Sequence, residues 1–318
     1  MLSTRRFPPI SPLLTASPCS YSLCTGPGWA LHSDIVIPYL CKYYHNPGKY
    51  VPDLVSGKKI AAIAMTEPGT GSDLAGVTTT AVKDGDHYVI NGSKTFITNG
   101  AMADVIVVVA KTDPSKGAHG ISLFVVEADM EGFSRGRRLK KMGMAAQDTS
   151  ELFFEDVRVP AENMVGEEGK GFAYLMTELA QERLIVGAMG VCSAEAIFEK
   201  TRQYTKERKA FGKSLFDGSQ VIRHTLVDAK MQLAVARSFM DDCLELHAQG
   251  KLDPATASMA KVHGSETQVK VIQDLSKLWG GSGYMAEMEV CRAHVDSMVQ
   301  PIYAGANDVL RELVSRTI

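Results

Sequence analysis

Between positions 222 and 244 the chain repeats an apolar residue every three or four positions: Ile222, Leu226, Ala229, Leu233, Ala236, Met240 and Leu244. A stripe of that length is the seam of a bundle helix, so the C-terminal half must pack helix on helix. Residues 172–204, 254–278 and 304–315 carry the same period. Gly250 closes one helix and Pro254 sits in the first turn of the next. Upstream the pattern changes. Residues 105–110 (VIVVVA) and 121–126 (ISLFVV) are strand-length runs rich in β-branched side chains. Asp84-Gly85 and Asn91-Gly92 supply the positive φ of hairpin turns, which predicts a hairpin at each. Residues 60–160 therefore read as a compact β-barrel or sandwich and 161–318 as a helical bundle. Residues 30–59 offer Leu31, Ile35 and Tyr39 at helical spacing, with a kink at Pro38 and a short helix over 51–55; they read as a helical remnant.

The chain has 318 residues, and 34 Lys plus Arg against 36 Asp plus Glu leave a net charge of -2. That balance argues against a nucleic-acid binder, and no apolar run reaches the roughly 18 residues of a membrane span. The six cysteines form no CxxC pair and the eight histidines no HExxH, so no metal centre is expected. Residues 1–29 carry Arg5 and Arg6, many Ser, Thr and Pro, and no acid. They read either as an organelle transit segment or as an unstructured leader, outside the core in both cases.

Three loops are chemically loaded. Residues 65–73 (MTEPGTGSD) follow a strand and concentrate glycine, hydroxyls and backbone N–H groups, which lets a flat polar heterocycle approach closely. On their own they are also an ordinary loop. Residues 94–100 (KTFITNG) would place Phe96 and Thr98 on one strand face. Residues 208–212 (RKAFG) end a helix with a cation beside an aromatic ring, and 280–284 (GGSGY) form a glycine turn after another helix.

The order MTEPGTGSD, FITNG, ELFFEDVRVP, RKAFG, GGSGYM, PIYAGAND resembles the acyl-CoA dehydrogenase family of flavoproteins, and AQERL with PIYAG resembles its long-chain type. The resemblance implies an α+β multidomain fold: an N-terminal helical domain, a middle β-barrel and a C-terminal four-helix bundle. It implies α,β-dehydrogenation of fatty acyl-CoA to trans-2-enoyl-CoA in β-oxidation, with FAD as cofactor and electron-transfer flavoprotein as electron acceptor. It also implies a homotetramer in the mitochondrial matrix, or the cytoplasm of a bacterium. By motif, Met65, Thr66, Gly71 and Ser72 would line the flavin, Ser72 also touching the start of the thioester. Phe96, Ile97 and Thr98 would contact the ring system. Arg208, Phe211, Gln220 and the Gly280-Gly281 turn would reach the FAD of a neighbouring subunit, and Asn307 would lie near the dinucleotide. Arg183, Ala304 and Gly305 would meet the substrate, Ala304 through its backbone N–H.

Many members place the catalytic base in a YEGT loop. Here that loop reads Tyr303-Ala304-Gly305-Ala306, and Ala304 cannot be a base. The long-chain and isovaleryl types place the glutamate on a bundle helix, which makes Glu182 the expected base and Glu178, one turn earlier, the runner-up. Without the resemblance Glu182 reads as a surface helix carboxylate. The chain departs from the family pattern at Ala306, Asp308 and Met298, in a longer 213–220 loop, and in a shortened N-terminal helical domain. Two alternatives follow: a truncated, catalytically impaired isoform acting only through oligomerisation, and an oxidase passing electrons to O₂. The basic run 135–141 reads as a solvated face, with docking of CoA phosphates as the other possibility.

Overall fold

The computed structural model describes residues 26–318, so the expectations for residues 1–25, including Cys19 and Cys24, lie outside the described residues. Two compact units form, Pro27–Glu182 and Arg183–Ile318, and the division falls inside one long helix.

The first unit opens with a helical run: α1 (Gly26–Ala30), a π-helical turn (Leu31–Val36) and α2 (Ile37–Tyr43), followed by α3 (Val51–Val55). Positions 26–29, expected to be leader, are therefore part of the fold. Asn99 Nδ2 donates to the Gly28 carbonyl at 2.9 Å, and a Cβ on Gly28 would stand 2.1 Å from Gln147 Oε1. A Cβ there would have to displace the buried Gln147 and Asn99 amides. Pro38 does not end the run. It has no N–H for the preceding turn, and Gln181 Nε2 instead donates to the Asp34 carbonyl at 2.6 Å. His32 Nδ1 accepts the Ala61 N–H at 3.0 Å, so its Nε2 carries the hydrogen and donates to the Leu54 carbonyl at 3.0 Å.

Seven strands follow: β1 (Ala61–Ala64), β2 (Thr80–Asp84), β3 (His87–Thr98), β4 (Val105–Lys111), β5 (Ile121–Glu127), β6 (Phe133–Arg138) and β7 (Thr149–Pro160). The path runs β1-β4-β2-β3-β7-β6, with β5 also on β4. β4 lies parallel to β1 and antiparallel to β5. Its two faces enter different cores. Val105, Val107 and Val109 pack with Tyr39, Leu40, Tyr50 and Leu54, while Ile106, Val108 and Ala110 pack with Ile90, Leu152, Phe154 and Val157 of β3 and β7. A sheet whose central strand packs on its own distant strands must curl over itself. Burial on both faces is why β4 and β5 read as unbroken apolar runs and not as alternation.

The Asp84-Gly85 hairpin forms as expected, with Asp84 opposite His87 and Gly85 at φ 62°. The hairpin expected at Asn91-Gly92 does not. β3 runs straight through it, paired with β7, with a register shift between Ile90 and Gly92. A Cβ at Gly92 would lie 2.5 Å from Thr79 Oγ1, so the glycine serves a close approach. Asn91 bridges to the neighbouring strand. Its Nδ2 donates to Asp156 Oδ1 and its Oδ1 accepts the Asp156 N–H, both at 2.9 Å.

The helix α4 (Gly171–Glu207) crosses from the first unit into the second. The second unit continues with a hairpin of β8 (Lys209–Ala210) and β9 (Lys213–Ser214), α5 (Leu215–Gly218), α6 (Gln220–Ala248), α7 (Pro254–Lys277), α8 (Glu289–Ser297) and α9 (Asn307–Ser315). The α6 stripe is buried as its period requires: Leu226, Ala229, Leu233, Ala236, Met240 and Leu244 all face the interior. Asp253 caps α7 by accepting from the Ala255 and Thr256 N–H groups, and Pro254 occupies the first turn. The short α8 had no signal in the periodicity; Val290 and Ala293 seat it on the bundle core.

In the bundle, α4 and α7 approach closely backbone to backbone. A Cβ on Gly264 would stand 2.6 Å from the Gly187 carbonyl oxygen, and one on Gly187 2.7 Å from that of Ala260. Gly264→Ala gains about 1 kcal/mol of helix propensity but forces two backbones apart at an overpacking cost of about 1–3 kcal/mol. The expected result is a lower Tm by thermal unfolding, with an unchanged or higher Tm contradicting the tight crossing.

Candidate active site

In the first unit, α2 and the start of α4 present matching polar ladders. Tyrosines at 39 and 43 and glutamates at 178 and 182 are each one helical turn apart. The Tyr39 hydroxyl donates to Glu182 Oε1 at 3.1 Å, and the Tyr43 hydroxyl to Glu178 Oε1 at 2.7 Å. Lys42 Nζ adds an ion pair to Glu178 Oε2 at 2.7 Å. The Tyr43 ring stacks on Tyr174 at a centroid distance of 4.3 Å. Both glutamates are buried, Glu182 at 5% exposure, so the surface reading of Glu182 does not hold. The two carboxylates differ in chemistry. Glu178 has one oxygen on a lysine and the other on a phenol. Glu182 meets a neutral phenol through Oε1. Burial, then the charge of Glu182 and its hydrogen bond, push the Tyr39 phenol far above its ordinary range, so it stays an O–H donor. Tyr39 was read from the sequence only as an apolar position of a helix, and Tyr43 and Lys42 were not singled out; the only signal was the shared four-residue spacing.

The 65–73 loop is built on a buried ion pair. Glu67 Oε1 accepts from Lys94 Nζ at 2.8 Å and from the Thr79 N–H at 2.9 Å. Its Oε2 accepts from the Thr78 N–H at 2.7 Å and hydroxyl at 2.6 Å. Lys94 Nζ also donates to the Met65 carbonyl at 3.0 Å, and the Thr95 N–H to the Thr66 carbonyl at 2.9 Å. Burial opposes the Glu67 charge, but the donors from Lys94, Thr78 and Thr79 outweigh it and hold the carboxyl below the usual range. Burial lowers Lys94 while Glu67 opposes that drop. The frame leaves Gly71 and Ser72 exposed, and a Cβ at Gly69 or Gly71 would meet nothing within 4 Å. Neither Glu67 nor Lys94 was picked out beforehand, although both sit inside the quoted motifs.

The alternation expected to align Phe96 with Thr98 is interrupted. Lys94 pairs with Leu152 and Ile97 with Ser150, so an extra residue bulges between them, and Phe96 takes φ 58°. Phe96 stands 66% exposed, Ile97 is buried beneath it and Thr98 is half-buried. The bulge turns the aromatic ring outward at the cost of a left-handed backbone.

In the second unit, Arg208 directly follows α4, and Phe211-Gly212 form the turn of the β8–β9 hairpin at φ 52° and 80°. Phe211 is fully exposed. Gln220 is exposed at the start of α6; Gly280, at φ 57°, and Gly281 have open space where a Cβ would be. Arg183 is buried with Nη1 donating to Ser258 Oγ at 3.3 Å. Ala304 and Gly305 take φ 51° and 91°. Lys261, itself buried, donates to the Gly305 carbonyl and to Asn307 Oδ1, both at 2.8 Å, and Asn307 Nδ2 donates to Glu266 Oε1 at 3.0 Å. Asn307 thus pins the 303–306 loop. Burial, then the charge of Arg183, lower Lys261 to about 8.

The two units match known proteins separately and together. Residues 62–157 match the acyl-CoA dehydrogenase middle domain, and residues 169–318 its C-terminal domain. The long-chain specific acyl-CoA dehydrogenase of Sus scrofa mitochondria is 53% identical over 303 residues, covering 94% of this chain and 70% of the relative. The chain belongs to the acyl-CoA dehydrogenase family. The Mus musculus long-chain enzyme is 51% identical, over 97% of this chain and 73% of the relative. Among solved structures, an acyl-CoA dehydrogenase of Geobacillus kaustophilus superposes with TM-score 0.88 at 49% identity, covering 91% of this chain and 77% of that one. Butyryl-CoA dehydrogenase of Megasphaera elsdenii gives 0.91 at 36%, covering 95% and 79%. Acyl-CoA dehydrogenases are FAD-dependent oxidoreductases. The residues of this chain fit that cofactor: open glycine backbone at 69–71 and 280–281, and outward aromatic rings at Phe96 and Phe211.

Proposed function

We propose that this chain oxidises long-chain acyl-CoA thioesters to trans-2-enoyl-CoA in fatty acid β-oxidation. The observation that carries the reading is Glu182, a buried carboxylate on α4 with a neutral phenol on one oxygen. Its role is to take the α-proton. An α-CH beside a thioester is a weak acid, so the base must sit among apolar groups and the developing enolate must receive hydrogen bonds. Glu178, tied to Lys42 and Tyr43, is poorly suited to that task. The Ala304 N–H is assigned to the thioester carbonyl, its left-handed backbone held through Lys261 and Asn307. Met65, Thr66, Gly71, Ser72, Phe96, Ile97 and Thr98 of the first unit are assigned to FAD, and Arg208, Phe211, Gln220, Gly280 and Gly281 of the second to the FAD of a neighbouring subunit. Bound FAD supplies the acceptor for the β-hydrogen, which leaves as hydride.

An electron-transfer flavoprotein is the proposed acceptor and the mitochondrial matrix the proposed compartment, supported by the mitochondrial relatives. A homotetramer is supported by exposed Val227, Met231 and Val235 along the outer face of α6. The test is a visible spectrum of the purified protein before and after anaerobic addition of a long-chain acyl-CoA. A flavin band that bleaches is expected. A protein without flavin, or with flavin that does not bleach, would instead favour a chain acting through oligomerisation alone.

A further inference from the structure

We propose that Lys261 and Asn307 are positioning residues for the thioester carbonyl: acting as one joint between α7 and α9, they lock the 303–306 turn in the shape that aims the Ala304 N–H. The inference deepens the proposed function and rests on its assignment of the Ala304 N–H to that carbonyl. The turn needs a lock. Ala304 carries a Cβ and stands at φ 51°, a backbone region that non-glycine residues keep only when their surroundings impose it. Among the described residues the N–H groups of Ala304, Gly305 and Ala306 have no backbone acceptor, so the turn is not fixed by its own amides. The Asn307 N–H closes it onto the Pro301 carbonyl at 2.9 Å. Side chains supply the rest. Lys261, fully buried on α7, donates to the Gly305 carbonyl and to Asn307 Oδ1, both at 2.8 Å. Asn307, the buried first residue of α9, donates through Nδ2 to Ser265 Oγ at 3.1 Å and to Glu266 Oε1 at 3.0 Å, both on α7. Arg311 of α9 donates to both Glu266 oxygens at 2.7 Å. The Asn307 amide is thus engaged within the bundle through its oxygen and its nitrogen, which makes it a support of the turn rather than a contact to the dinucleotide. Burying an ammonium against two neutral acceptors is costly, and an apolar side chain would fill the same space. What the ammonium adds is direction, with one bond on the turn and one on the helix that follows it.

The test reads the thioester carbonyl directly. A long-chain acyl-CoA doubly methylated at Cα has no α-proton and cannot be oxidised. Its isotope-labelled carbonyl stretch can therefore be followed by infrared difference spectroscopy on the purified enzyme. Bound to the unaltered protein, the stretch should fall below its position in water, as positioned donors polarise the carbonyl. In Lys261→Met it should move back toward that position. The bleaching rate at saturating oxidisable acyl-CoA should drop about 10–100-fold, with flavin content and KM close to unchanged. Methionine fills a similar volume, and the two acceptors left behind are neutral, so no charge is stranded. Asn307→Ala breaks the same joint from α9 and should give the same two changes, which keeps the test decisive if Lys261→Met folds poorly. A stretch that stays at its unaltered-protein position in these variants overturns the proposal even where the rate falls, and leaves the pair a role in stability alone. A stretch that never leaves its water position in the unaltered protein removes the Ala304 assignment itself, and the proposal falls with it.

Discussion

Glu182→Gln should leave a folded protein with full flavin content and a bleaching rate reduced by about 10²–10⁴-fold, the usual worth of a general base. The substitution is nearly isosteric. The amide oxygen can still accept from Tyr39, so the contact between α2 and α4 survives. What disappears is the basic lone pair, since an amide oxygen does not take a proton from an α-carbon. The control is Glu178→Gln. That variant breaks the ion pair to Lys42, whose side chain is half in solvent, and should bleach at close to the normal rate. Stopped-flow absorbance at the flavin band separates the cases. Equal losses in both variants would mean that the ladder is a structural clamp and that the base lies elsewhere.

Lys94→Met should be the most destabilising single change in the first unit, at about 3–5 kcal/mol, because it strands a buried carboxylate. Glu67 would keep the Thr78 and Thr79 donors but lose its cation, in a site where Lys94 and Glu67 are both almost fully buried. The Met65 carbonyl loses its donor in the same stroke, so the 65–73 loop should open and flavin retention fall with stability. The pH sign follows from the depressed Glu67 carboxyl. Its stabilising contribution is present above the ordinary carboxylate range and is lost as pH falls through its lowered folded value. Denaturant unfolding together with the flavin-to-protein absorbance ratio checks this. A loss below about 1 kcal/mol with flavin retained would show that the loop does not depend on the pair.

Much of the architecture was legible without coordinates because it rests on local periodicity. The α6 stripe, the Asp253–Pro254 helix start and the Asp84-Gly85 turn each depend on residues within a few positions of one another. The motif loops were legible for the same reason, as runs of glycine and hydroxyl that no core would use. Asn91-Gly92 shows where such reading ends. The dipeptide permits a turn, but Thr79 and Asp156 claim it for a through-going strand, and neither is near it in sequence. The bulge at Phe96 is likewise imposed by register with β7.

The motif resemblance ranked Glu182 above Glu178, but their different surroundings lay beyond what local sequence could show. Both are helix glutamates one turn apart, identical in type and spacing. What separates them is a tyrosine 143 positions away on one and a lysine 136 positions away on the other. Sequence alone determined most of the long helices and the buried strands, because backbone propensity and apolar spacing act over one or two turns. Only the tertiary structure decided that Glu178 meets Lys42 and Tyr43 and that Glu182 meets Tyr39, because charge and burial depend on groups that folding brings together.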